Sequence, residues 1–154
     1  MHINKLFLIA MLILISACTN QSNSISSRES DKVEEPSEQF LMDLRETMNL
    51  SFKIFQAMEN NDYAFLESSK ATGVTIDKEN NKVKYEYSGE EIAYDFLTGI
   101  NLSNLEYWGS GYINDHTNFQ IIFAKYFNDT HGTIYLDFVK EDNKWLFNGL
   151  STNA

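Results

Sequence analysis

The sequence predicts an α+β domain in which N-terminal helices pack on a curved antiparallel sheet. Three observations lead there. Apolar residues recur at steps of three and four from Phe40 to Met58, the period changes to two at Val74, and the last third reads as four alternating segments joined by short turns.

Each element follows from local chemistry. Leu41, Leu44, Met48, Phe52, Phe55 and Met58 predict one amphipathic helix, with Ser37 as N-cap, Glu38 in the first turn and Asn60-Asn61 as the stop. A second short helix is expected from Asp62 to about Ser69, with Gly73 beyond its end. Val74-Thr75-Ile76, then Val83, Tyr85 and Tyr87 alternating with Lys82, Lys84 and Glu86, predict a hairpin across Lys78-Glu79-Asn80-Asn81. Ser88-Gly89-Glu90-Glu91 reads as a capping box opening a third helix that ends near Gly99 and buries Ile92, Ala93, Phe96 and Leu97. Strands are expected at about 105–113, 119–127, 133–140 and 144–150, antiparallel because the connections are short.

The start of the chain has a different character. Lys5 precedes an apolar run from Leu6 to Ile15, and Ser16-Ala17 follow. That is the layout of a secretory signal, and ten helical residues span only about 15 Å, half a bilayer core, so a permanent transmembrane helix is the poorer reading. Ile15-Ser16-Ala17-Cys18 resembles the lipobox of bacterial lipoproteins. The resemblance implies cleavage before Cys18, diacylglycerol on its thiol, and attachment to the extracytoplasmic side of a membrane: the outer membrane in a Gram-negative cell, where Thr19 permits that sorting, or the cell membrane in a Gram-positive one. Cys18 is the one cysteine, so no internal disulfide can form.

Residues 1–17 are thus expected to be a signal peptide, 18–37 a lipidated tether and 38–154 a single domain. Serine-rich and nearly free of large apolar groups, the tether cannot offset its chain entropy by burial, and about 18 residues of coil reach roughly 25 Å. Beyond residue 17 the chain carries 11 basic against 22 acidic residues. A field of that sign repels phosphate backbones, and nucleic acid is excluded as an expected partner.

The element order, with Ala57-Met58-Glu59-Asn60-Asn61-Asp62-Tyr63 and Asn143-Lys144-Trp145-Leu146-Phe147, resembles nuclear-transport-factor-2-like domains over about residues 38–150. The resemblance implies a cone-shaped fold, and in its enzyme members a carboxylate or His inside the cone with Tyr or Asp donors. A cystatin-like sheet with one helix is the alternative, disfavoured by the three expected helices. Asp95 lies away from the centre of the expected helical stripe and reads as solvated. Asp137, within Ile134-Tyr135-Leu136-Asp137-Phe138-Val139, is the catalytic candidate, although alternation groups it with Tyr135 and Val139, opposite Ile134, Leu136 and Phe138.

His116 and His131 sit in similar Asn/Asp turns, but the strand between them would hold them at opposite ends, roughly 33 Å apart, so no metal site is expected. No nucleophile elbow, zinc-protease, phosphate-loop or dinucleotide motif occurs, and no cofactor is expected. Gly109 and Gly111 mark a bend or a close approach to the backbone. Aromatics along the last strands, among them Tyr107, Trp108, Tyr126 and Tyr135, exceed the needs of a one-sided sheet. The leading expectation is a non-enzymatic envelope lipoprotein binding a protein partner, an envelope component or a second copy through its sheet face. A cofactor-independent isomerase or hydratase, and an accessory or immunity lipoprotein of a mobile element or secretion system, are the alternatives.

Overall fold

The structure, a computed structural model, describes residues 35–101, 103–113, 115–127 and 130–153. Cys18, with the expected signal and tether up to residue 34, lies outside the described residues. The compact unit is Pro36–Ala154.

Helix α1 is Glu38–Asn60. The Ser37 hydroxyl accepts from the Phe40 amide at 3.1 Å, and Asn61, at φ 54°, ends the helix in the left-handed conformation, as Ser37 and Asn61 predicted. Helix α2 is Tyr63–Ser69, capped by Asp62 through the Phe65 amide. The buried stripe of α1 differs from the expected one. Phe55 and Met58 are buried and Leu44 and Met48 pack on the core as expected, but Leu41 and Phe52 are 51% and 38% exposed, and Asp43, Thr47, Ser51 and Ile54 are buried in addition. Along its first half the helix therefore presents Asp43, Thr47 and Ser51 to the sheet beside Phe40, which packs against Tyr112 and Phe119. Thr47 and Ser51 donate to the backbone carbonyls four residues earlier, at 2.7 and 2.8 Å, so both hydroxyls are buried at little cost.

Two antiparallel sheets follow. Strands β1 (Val74–Asp77), β2 (Lys82–Tyr87) and β3 (Glu90–Asp95) form one, in that order. Strands β4 (Leu105–Tyr112), β5 (Asn118–Phe127), β6 (Thr130–Glu141) and β7 (Lys144–Asn153) form the other. Among the described residues the fold is α+β as expected, with two helices rather than three and two sheets rather than one.

The third helix is the element that the sequence reading misassigned. Ser88 and Gly89 have φ of 55° and 83°, the pair of positive angles that a tight two-residue hairpin requires, and Tyr87 pairs directly with Glu90. A helix N-terminus would need negative φ at both, extended at the Ser88 cap and helical at Gly89. Ile92 and Tyr94 then alternate with exposed Glu91, Ala93 and Asp95, the strand period, and β2 gains a partner on its open side. Asp95 is solvated, as read, but on a strand, where it faces Lys82 at 3.3 Å. The reason for setting aside a cystatin-like arrangement, a third helix, no longer holds.

One core joins the parts. On the helix side of the larger sheet, register places Phe119 opposite Phe138, Ile121 opposite Leu136 and Phe123 opposite Ile134, and all six are buried. Ile54 and Met58 of α1, Leu66 of α2, and Val74 and Val83 of the smaller sheet complete the same cluster. Burying each such side chain contributes about 1.5–3 kcal/mol before entropy is counted. The smaller sheet is joined to β7: the Ala71 amide donates to Phe147 O at 2.8 Å and the Tyr85 hydroxyl to Leu150 O at 2.6 Å. Among the described residues, no helix is long and apolar enough to cross a membrane.

Candidate functional site

Three places in the fold concentrate polar or exposed aromatic groups. The first is at Asp43, which sequence reasoning passed over. Asp43 is 2% exposed, on the sheet-facing side of α1. Lys140 Nζ and Trp145 Nε1 donate to its Oδ1 at 3.0 and 2.8 Å, and Gln39 Nε2 and the Tyr112 hydroxyl to its Oδ2 at 3.0 and 2.6 Å. Lys140 also lies 5.0 Å from the centroid of the Trp145 ring. Burial alone would raise the pKa of this carboxyl; the hydrogen bonds from Tyr112, Gln39, Trp145 and Lys140 outweigh it and hold the value at about 2. Burial and the bond to Asp43 push the Tyr112 hydroxyl up to about 12.

Chemically this is an anchor. A carboxylate with two donors on each oxygen and so low a pKa has little affinity for a proton at neutral pH, so it is a poor general base. Its donors come from the first turn of α1 and from β4, β6 and β7, so one charge ties the helix across the sheet. The signal in the sequence was Asp43-Thr47-Ser51, a polar line at steps of four beside the apolar stripe.

The second place is Asp137, on the sheet face opposite α1, in the row Gln120, Asp137, Gly149. It is half-buried. Burial raises its pKa, and a 2.8 Å hydrogen bond from Gln120 Nε2 opposes the rise. The nearby tyrosine is Tyr85, whose ring covers Gly149: a Cβ on that glycine would meet the ring at 3.0 Å. Its hydroxyl is committed to Leu150 O, and burial, with Tyr94, Asp137 and Tyr87 around it, pushes its pKa up to about 12. Asp137 therefore has the raised pKa that a general base uses, but the adjacent phenol is already engaged with the backbone.

Exposed aromatics on β4 and β5 make the third. Tyr107, Trp108 and Tyr126 are 46%, 51% and 46% exposed. The register between β4 and β5 slips between Tyr107 and Gly109, so Trp108 sits at a β-bulge; this is the bend that Gly109 and Gly111 suggested. Nothing approaches within 4 Å of where a Cβ would stand on either glycine, so no neighbouring side chain closes on the backbone there. The Tyr126 hydroxyl donates to Glu106 at 2.6 Å, and Tyr107 shares a 2.8 Å hydrogen bond with Ser110. Strand β4 is an edge of its sheet, with β5 on one side.

The histidines do not meet. His116 precedes β5 and packs edge-on against Tyr112 at 4.4 Å between ring centroids, whereas His131 pairs in register with Tyr126 near the other end of that strand. Among the described residues, no group of three or more His, Cys, Asp or Glu is placed to hold a metal. No protein-family model, curated protein or solved structure matches this chain.

Proposed function

We propose that this protein is a lipid-anchored component of the bacterial cell envelope, tethered through Cys18, whose domain is a non-enzymatic binding or assembly module. The observation that carries the binding half of this reading is the exposure of Tyr107, Trp108 and Tyr126 around the β4 edge. Aromatic rings offer large contact area at low conformational entropy, and an edge strand offers backbone groups to a partner. Saturation of Asp43 by four donors also supports a structural use of the most buried charge. The anchoring half rests on Ile15-Ser16-Ala17-Cys18.

The finer fold reading, a nuclear-transport-factor-2-like cone, belongs to the same proposal. It is supported by the order of a long helix, a short helix and a final meander with Trp145 in its last strand, while a three-stranded sheet stands where the resemblance implied a hairpin and a third helix.

Two experiments test the reading separately. Cys18→Ser should release the protein from membranes and abolish incorporation of labelled fatty acid; unchanged fractionation and labelling would refute the anchor. Residues 18–154 carrying Cys18→Ser should self-associate in light scattering or capture a specific envelope component, and Trp108→Ala with Tyr126→Ala should abolish it. A monomer that captures nothing would refute the binding face.

Asp137 favours a second reading, an isomerase or hydratase using a carboxylate of raised pKa. Turnover of an enolisable carbonyl compound that is lost in Asp137→Asn would establish it over the first.

A further inference from the structure

Between the middle of α1, the end of α2 and the start of β7 lies an open groove of about 460 Å³. Leu50, Phe65 and Trp145 give it an apolar wall, and Lys53 and Lys144 line it with Glu46. A second groove of about 340 Å³ shares Lys53 and Phe65 and continues along α1 to Asn60.

Most described lysines are engaged, Lys125 with the Thr98 carbonyl at 2.9 Å and five others with carboxylates. Lys70 and Lys78 reach Glu67, Lys82 reaches Asp95, Lys84 reaches Asp77 and Lys140 reaches Asp43. Among the described residues, Lys53 and Lys144 have no such ion pair, in a chain whose formal charge is −10. Glu46 is seven residues from Lys53 on α1, about 10 Å along the helix axis, and leaves the groove with an excess positive charge. A bare anion would leave the apolar wall unused, and an uncharged apolar ligand would forgo the attraction of two exposed ammonium groups beside that wall.

We propose that this groove binds a small amphiphile with one carboxylate head, its chain along Phe65 and Leu50 and its head against Lys53 and Lys144. Charge complementarity at Lys53 and Lys144 selects the anion, and the chain stays on the Leu50 and Phe65 wall, because the adjoining groove is lined by Gln56, Asn60 and Asp62. This site is separate from the β4 face, and the two readings stand or fall independently.

The sequence contains two tryptophans, so Trp108→Phe leaves Trp145, in the groove wall, as the one indole reporter. In that background, decanoate should shift Trp145 emission saturably, and Lys53→Ala with Lys144→Ala should weaken its binding about five- to tenfold. Inorganic phosphate and decanol, the head charge and the apolar body taken singly, should give no saturable shift. The proposal fails if decanoate gives none, if the double variant binds it unchanged, or if decanol or phosphate binds as well as decanoate. Amide shifts confined to Lys53, Phe65 and Lys144 on adding decanoate would confirm the place; shifts elsewhere would refute it.

Discussion

The indole nitrogen of Trp145 and the carboxylate of Asp43 lie 2.8 Å apart although 102 residues separate them in the chain. This contact joins the first turns of α1 to the last strand, and Lys140 and Tyr112 bond to the same carboxylate. Removing one partner of a buried, hydrogen-bonded charge leaves the rest uncompensated, typically costing about 3–5 kcal/mol. Asp43→Ala should lower stability in urea unfolding by about that amount. A loss under about 1 kcal/mol would show that the cluster relaxes into water.

The same carboxylate makes stability depend on acid. Its pKa is about 2 in the folded protein against an ordinary 3.8, because four hydrogen bonds overcome the burial that would raise it. A depressed pKa means the contribution is complete above the ordinary value and lost as pH falls through the folded one. About 2 kcal/mol should therefore disappear between about pH 5 and pH 2. Asp77 and Asp115, also held low, contribute in both proteins, so the difference between wild type and Asp43→Asn isolates the effect. Parallel pH profiles for the two would contradict it.

Asp137 should behave in the opposite sense. Burial raises its pKa, so the folded state disfavours its charge, and the stability present below the ordinary carboxylate value is lost as pH rises from that value through the raised one. Asp137→Asn removes that penalty and keeps a polar partner for Gln120. The urea midpoint at pH 7 should stay level or rise, with the gain absent at pH 3. A loss above about 1 kcal/mol at pH 7 would mean that the charge is needed where it stands.

Gly149→Ala should be costly for two reasons. The backbone there has φ 151°, which side-chain-bearing residues rarely adopt, and a Cβ would meet the Tyr85 ring at 3.0 Å. A loss of about 1–3 kcal/mol is expected. Tyr85→Phe, which forfeits only the bond to Leu150 O, should cost about 0.5–1.5 kcal/mol. Chemical shifts of β2 and β7 that move together in both variants would confirm that the two sheets meet here.

Gly89→Ala discriminates between hairpin and helix. With φ at 83°, a methyl group should destabilise by about 1 kcal/mol. In the first turn of a helix the same change would stabilise by a similar amount, so the sign of the shift in melting temperature decides.

That last contrast shows why one segment was misread. Ser88-Gly89-Glu90-Glu91 satisfies a capping box and a two-residue hairpin turn equally well as a string. The unpaired side of β2, available only once β1 and β2 have met, selects the hairpin. Elsewhere local chemistry sufficed: Ser37, Asn61 and Asp62 bound the helices, and period-two alternation marked the strands. Asp43 was passed over for a related reason: the polar line Asp43-Thr47-Ser51 was there to be read, but a carboxylate beside an apolar stripe reads as solvated until its donors arrive from residues 112, 140 and 145.

By itself, the sequence determined element types and limits wherever caps, turns and periodicity agreed, together with the acidic charge, because these depend on composition and on neighbours within a few residues. Only the tertiary structure decided which face of α1 is buried, that residues 90–95 pair with β2, and that Asp43 holds Trp145. Those outcomes depend on which distant groups can satisfy a buried donor or acceptor, and that is settled by packing rather than by local propensity.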